Sequence, residues 1–220
     1  SSLSGTPCSF TTARNASMPG DRMVGKDGTY TESFYVNCDV NATDGTSGAH
    51  IVLIAENERQ VFVNGDGSYT PVKIYNCSYW EIEGIYAQSA DLDGGSPAVF
   101  LVYNSSYLTI RRNLAVHPNR YVNDHGISIF GGGSNDLIEE NEVYENFRGG
   151  VELQDGITDT IVRRNYVNSR LTEDLIDGVG STNPTRGDSS FACYPCNNNI
   201  FENNISENSE FGINIEPTGL

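Results

Sequence analysis

The chain has 220 residues and a formal charge of −16, with 29 acidic residues against 13 lysines and arginines. That balance excludes nucleic acid and anionic membrane surfaces as partners, because both need a basic face. The length suits one continuous core, and 23 glycines among abundant asparagine describe many short strands joined by tight turns.

Residues 1–220 are therefore read as a single domain, with 1–48 as an N-terminal cap and first strands and 49–220 as repeated coils. Phe10-Thr-Thr-Ala-Arg-Asn-Ala16 reads as a short helix ended by Pro19-Gly20. A helix there covers the open edge of a first coil. No stretch is long and apolar enough to span a bilayer, and no secretory leader is visible at Ser1, as in a mature secreted or cell-surface form. Five cysteines suit an oxidising compartment. Their spacing suggests a local Cys193–Cys196 disulfide and a second bridge between Cys8 and Cys38, with Cys77 buried and free.

The repeat begins at Trp80. Five segments align without gaps on an apolar anchor: Ile82, Ile110, Ile138, Val162 and Phe201. Successive anchors are 28, 28, 24 and 39 residues apart, which is one solenoid coil each, the last carrying an insertion at about 181–197. Three residues after the anchor stands Asn113, Asn141, Asn165 or Asn204, with Ile85 in the first segment. Coils stacked about 4.8 Å apart place such amides within hydrogen-bonding reach, each Asn being expected in a left-handed turn. One residue after the anchor the file reads Glu83, Arg111, Glu139, Arg163, Glu202. Alternating charges attract across neighbouring strands where like charges repel, so this file supports the same register.

A second strand precedes each anchor. Gly126-Ile-Ser-Ile129, Gly150-Val-Glu-Leu153, Gly178-Val179-Gly180 and Gly212-Ile-Asn-Ile215 begin with Gly and alternate apolar with polar. Val72-Lys-Ile74 and Phe100-Leu-Val102 fill the same place earlier, with a one-residue slip left open. The fold expected is all-β: a right-handed parallel β-helix with a short N-terminal capping helix. After Ile215 no cap is apparent, which suggests self-association through that end.

Ser17-Met-Pro-Gly-Asp21, Asp27-Gly-Thr-Tyr30 and Ile51-Val-Leu-Ile-Ala-Glu56 resemble the opening of pectate-lyase-like β-helix proteins. The later Asn-bearing coils resemble the repeats of carbohydrate-binding and sugar-cleaving β-helices. The resemblance implies a groove along the outward face of one sheet and a polysaccharide as partner. Its lyase branch implies a Lys or Arg that removes the C5 proton of a uronic acid, with Ca²⁺ held by Asp residues beside the sugar carboxylate.

Against that demand the candidate catalytic residues are Arg148, His125 and Lys73. Arg120, Glu152 and Gln154 are candidates for substrate binding, and Asp124, Asp155, Asp174 and Asp177 for calcium. His125 qualifies because an imidazole titrates near neutrality. Each has a plainer reading as a turn former or solvated charge. Two functions stand side by side: a polysaccharide-binding or calcium-dependent polysaccharide-cleaving protein, and a non-catalytic module of a surface fibre that stacks end to end.

Overall fold

The computed structural model describes residues 8–65, 70–89, 98–116, 125–145, 148–169 and 187–215. Helix α1 (Phe10–Ala16) is followed by seven coils of three strands each. The first coil is β1 (Arg22–Gly25), β2 (Gly28–Tyr30) and β3 (Phe34–Asn37); the second is β4 (Ile51–Ala55), β5 (Val61–Gly65) and β6 (Val72–Tyr75). The third holds β7 (Trp80–Glu83), β8 (Ile85–Ser89) and β9 (Ala98–Tyr103); the fourth, β10 (Thr109–Arg111), β11 (Leu114–Val116) and β12 (His125–Phe130). The fifth comprises β13 (Leu137–Glu139), β14 (Glu142–Tyr144) and β15 (Gly149–Thr158); the sixth, β16 (Ile161–Arg163), β17 (Tyr166–Asn168) and β18 (Gly187–Asn197). The seventh is β19 (Ile200–Glu202), β20 (Ile205–Glu207) and β21 (Ser209–Ile215).

Each coil gives one strand to each of three seven-stranded sheets, and every pairing within them is parallel. Parallel strands joined by crossovers wind right-handed, because the intrinsic strand twist returns the chain that way. The molecule is a right-handed parallel β-helix. The five expected anchors are direct partners: Ile82 faces Ile110, Ile110 faces Ile138, Ile138 faces Val162 and Val162 faces Phe201. Leu53 and Met23 extend the file into the first two coils. The anchors from Leu53 to Val162 are buried in one continuous core.

The asparagines form a ladder inside one corner. Asn113 Nδ2 donates to Asn141 Oδ1 at 3.1 Å, Asn141 to Asn165 at 3.0 Å, and Asn165 to Asn204 at 3.1 Å. The left-handed conformation belongs not to these residues but to the one before each: Arg112, Glu140, Arg164 and Asn203 have φ between 53° and 57°. That residue turns the corner, and the turn swings the next side chain inward. The charge file is also paired, with Arg111 Nη2 2.9 Å from Glu83 and Arg163 Nε 2.9 Å from Glu139.

Helix α1 covers the first coil as expected. Ser9 Oγ accepts from Thr12 N at its start, Phe10 stacks on Phe34 at 4.3 Å, and Arg14 donates to the Tyr35 carbonyl. At the opposite end Ile200, Ile205, Phe211, Ile213 and Ile215 are each about half exposed.

Two further expectations are corrected and one open question of register is settled. Cys38 bridges Cys77 rather than Cys8, which is exposed with a free thiol; β3 and β6 are paired neighbours, so their following residues meet. The Cys193–Cys196 disulfide is present. The strand that pairs with β15 is Gly187–Asn197, within the stretch assigned to an inserted loop, so the extra length of that coil precedes the strand. Gly178-Val179-Gly180 therefore does not fill this strand and lies outside the described residues. Lastly, Val72, Phe100 and Ile127 are in register without a slip.

Candidate functional site

The third sheet, from β3 through β21, carries five of the candidate residues: Lys73, His125, Glu152, Gln154 and Asp155. In β6, Val72 and Ile74 are buried while Lys73 and Tyr75 are half-buried on the outer side, as strand alternation requires. Strand pairing then continues two outward files. One runs Lys73, Leu101, Ser128, Glu152, Ala192, Asn214. The other runs Asn37, Tyr75, Tyr103, Phe130.

Aromatic rings line this face. Tyr35 meets Tyr75 with centroids 5.7 Å apart, Tyr75 meets Tyr103 at 5.7 Å, and Tyr103 meets Phe130 at 4.9 Å. Each contact is tilted or edge-to-face, the arrangement favoured by ring quadrupoles. Tyr103 is 40 % exposed. At the start of the row Thr31, Glu32, Ser33, Tyr35, Lys73 and Tyr75 line a pocket of about 490 Å³.

Burial tunes the pocket's titratable groups. Desolvation pulls the Lys73 ammonium below the ordinary lysine range, which makes its amine a more available proton acceptor. Desolvation pushes the Tyr75 phenol up, helped by Tyr35 and Tyr103.

His125 and Glu152 lie farther along the same face and are brought together. His125 Nδ1 is 2.7 Å from Glu152 Oε2, with the side chains only 5 % and 2 % exposed. The atoms are at ion-pair distance but not aligned as a hydrogen bond, and neither has another hydrogen-bond partner among the described residues. Gly149 makes the contact possible, since a Cβ there would fall 2.6 Å from His125 Nδ1. Leu101, Ser128 and Glu152 are all buried. Among the described residues, solvent therefore reaches the Lys73 end of that file rather than the His125–Glu152 pair.

The remaining candidates separate. Lys73 sits two strands from β12, about 10 Å at the usual strand spacing. Arg148 is exposed just before β15, and its carbonyl accepts from Ser189 N. Gln154 is half-buried in register with Tyr194. Asp155 is exposed in a left-handed turn position, φ 55°. Arg120, Asp124, Asp174 and Asp177 lie outside the described residues. Among the described residues the one grouping of three potential metal-ligand atoms is Cys38, Asp44 and Cys77, and its two sulfurs are joined in a disulfide. The described carboxylates assemble no oxygen cage for calcium.

The aromatic row was missed in the sequence, although it left a signal. Tyr75 and Tyr103 recur at the 28-residue spacing of Ile82 and Ile110. Tyr35 and Phe130 carry no such mark, because loops of different length separate their coils from the regular ones.

No family model and no curated protein sequence matches the chain. Among solved structures it is similar to an alginate lyase from Paenibacillus sp. str. FPU-7, with a TM-score of 0.54 and 14 % identity, covering 90 % of this chain and 72 % of that one. It is also similar to a PL6-family polysaccharide lyase from Pseudopedobacter saltans, with a TM-score of 0.50 and 13 % identity over 94 % of this chain; it spans half the length of that protein. At such identities the likeness establishes a shared parallel β-helix fold.

Proposed function

We propose that this β-helix binds an extended polysaccharide along the outward face of its third sheet, between β3 and β12. The observation that carries the reading is the row Tyr35, Tyr75, Tyr103 and Phe130 beside the Lys73 pocket. Aromatic rings offer apolar surface to the C–H faces of sugars, and the phenol and Glu32 groups exchange hydrogen bonds with sugar hydroxyls. Lys73 supplies a cation for an acidic sugar in a protein otherwise strongly negative. The two similar structures, both lyases of sugar polymers by their descriptions, support the reading through fold alone. The test is affinity electrophoresis on neutral and uronate-containing polysaccharides, comparing the wild type with Tyr75→Ala. Retardation on at least one polymer, reduced in the variant, is expected; equal mobility on all of them discards the proposal.

A finer reading adds cleavage by β-elimination, and the specific observation in its favour is the lowered pKa of Lys73. The neutral amine would take the C5 proton of a uronate as the C4–O4 bond breaks, a C4–C5 double bond forms and the leaving O4 takes a proton from water. Calcium held by Asp124, Asp155, Asp174 and Asp177 would serve a different position on the polymer, because Asp155 on β15 is three strands from Lys73, about 14 Å at the usual strand spacing. Release of unsaturated uronates that Lys73→Met abolishes is the expected result. Failure to release them with or without calcium removes the catalytic reading and leaves binding.

The alternative of a stacking surface module is supported by the half-exposed Ile205, Phe211, Ile213 and Ile215 on the last coil. Helix α1 covers the first coil, so association through these side chains would pair like ends. Light scattering over a concentration series tests it, and a constant monomer mass excludes it. Two disulfides support a secreted or cell-surface setting, and no described helix is long and apolar enough to cross a membrane.

A further inference from the structure

The corner between the third and first sheets carries a second inward file: Trp80, Leu108, Asp136, Thr160 and Asn199. Each is preceded by a residue with positive φ: Tyr79, Tyr107, Asn135, Asp159 and Asn198. The geometry repeats that of the asparagine ladder. Asn199 shows how a rung works here: its Oδ1 accepts from Thr160 N at 2.8 Å and its Nδ2 donates to the Ile157 carbonyl at 2.9 Å. The ladder asparagines do the same at their own corner, Asn113 reaching Ile82 and Asn141 reaching Ile110.

Asp136 stands in this file where the amide chemistry calls for Asn. Its Oδ1 accepts from Leu108 N at 2.8 Å, as Asn199 Oδ1 does from Thr160. Its Oδ2 occupies the place of the amide nitrogen, is fully buried, and has no hydrogen-bond partner among the described residues. In the other rungs the donor reaches the carbonyl three residues before the residue one coil below. For Asp136 that residue is Leu108, so the carbonyl is Ser105 O. Two oxygens facing each other in an apolar interior repel unless one carries a proton. The Ser105 carbonyl packs against Gly133 on the coil of Asp136, where a Cβ would fall 1.9 Å from its oxygen.

We infer that Asp136 is a protonated rung of this corner, its carboxyl Oδ2–H donating to Ser105 O, and that its ionisation is a pH-sensitive weak point built into the coil stack. Burial pushes its carboxyl to about 7, against the opposing pull of the Leu108 N–H bond. No charged neighbour contributes to that shift. The file positions on either side are Leu108 and Thr160, neither of which titrates. On its own coil Glu139 and Glu140 are paired with Arg163 and Arg164. The sign follows from linkage. The folded state holds a proton that the unfolded chain releases near its ordinary value of 3.8, so stability is lost as pH rises from about 4 towards 7.

Asp136→Asn supplies the missing donor without changing size. The test compares thermal unfolding of the wild type and Asp136→Asn from pH about 4 to about 8. The expected result is nearly equal melting temperatures at the acid end, with the variant increasingly more stable until about pH 7 and a constant gap above it. A carboxyl-carbon NMR titration of the wild type is expected to place Asp136 near 7. A variant no more stable than the wild type at any pH, or an Asp136 carboxyl that titrates in the ordinary carboxylate range, overturns the inference. The paired use of NMR on the wild type keeps the test decisive even if the variant folds poorly.

Discussion

Asn141 Nδ2 donates to Asn165 Oδ1 at 3.0 Å although 24 residues separate them, and the same nitrogen donates to the Ile110 carbonyl at 2.9 Å. The Asn141 oxygen in turn accepts from Asn113 N at 3.0 Å and from Asn113 Nδ2 at 3.1 Å. One side chain on the fifth coil thus satisfies polar groups on the coils at either side of it in a place that water does not reach.

Removing that side chain is correspondingly costly. Asn141→Ala leaves the buried Asn113 N without its acceptor, and the expected loss is about 3 kcal/mol. Asn204→Ala, at a half-buried rung of the last coil, is expected to cost distinctly less, because water can replace the amide. Urea unfolding of both variants checks the order, and equal losses contradict it.

The coil stack was legible in the sequence because its signals reinforce one another. Ile110, Arg111 and Asn113 belong to three files with one spacing, and each file needs the same register. The first two coils were not legible in this way: Met23 and Leu53 share the anchor file, but no Asn follows them at the ladder position. The misplaced strand has a similar cause. Both Gly178-Val179-Gly180 and Gly187–Asn197 lie in one long interval, and the Gly-apolar alternation that marks this strand elsewhere is absent from Ser189-Ser190-Phe191-Ala192. Of the site, Lys73 could be found by its rarity, whereas the His125–Glu152 contact depends on coil pairing together with the missing Cβ at Gly149.

That contact is expected to matter for stability rather than for ligand access. Glu152→Ala strands a polar imidazole in the interior, and leaving a buried polar group unsatisfied costs about 1–3 kcal/mol. Gly149→Ala is expected to be destabilising as well, since its methyl group would collide with the same ring. In the double variant Glu152→Ala with His125→Ala the penalties should not add, because removing both partners leaves neither polar group stranded. Strict additivity in chemical unfolding would show that the two side chains are not coupled.

The aromatic row makes the opposite prediction. Tyr103 is the most exposed ring of the row, so Tyr103→Ala should leave the melting temperature nearly unchanged. Its effect belongs to ligand binding, at roughly 1 kcal/mol for a lost ring contact, or about fivefold in Kd. Calorimetric titration with the polymer that retards the wild type measures this. An unchanged Kd would remove Tyr103 from the binding surface.

Lys73 offers a direct pH measurement, because only one other lysine, Lys26, exists in the chain. Reductive methylation with labelled formaldehyde gives one signal from each lysine and one from the α-amine, and Lys26→Arg assigns the lysine pair. The Lys73 signal is expected to titrate below the ordinary value of 10.5, since burial favours the neutral amine. Tyr35→Ala should open the pocket to water and move the midpoint back up towards that value. A midpoint at or above 10.5 in the wild type would contradict the desolvation argument.

The two disulfides should contribute unequally, for a reason set by the loops they close. Cys38–Cys77 spans 39 residues, and constraining a loop of that length in the unfolded chain is worth about 4 kcal/mol in the chain-entropy model. Cys193–Cys196 spans three residues and restricts far less, about 2 kcal/mol on the same scale. The double variant Cys38→Ala, Cys77→Ala should therefore lower the melting temperature more than Cys193→Ala, Cys196→Ala, and Cys8→Ser should leave it unchanged because that thiol is exposed and unbridged. The first pair also ties β3 to β6, the strands that carry Tyr35 and Lys73, so its loss should weaken glycan retardation together with stability. An equal thermal effect of the two pairs would mean that native contacts, not the constrained loop, determine what each bridge contributes.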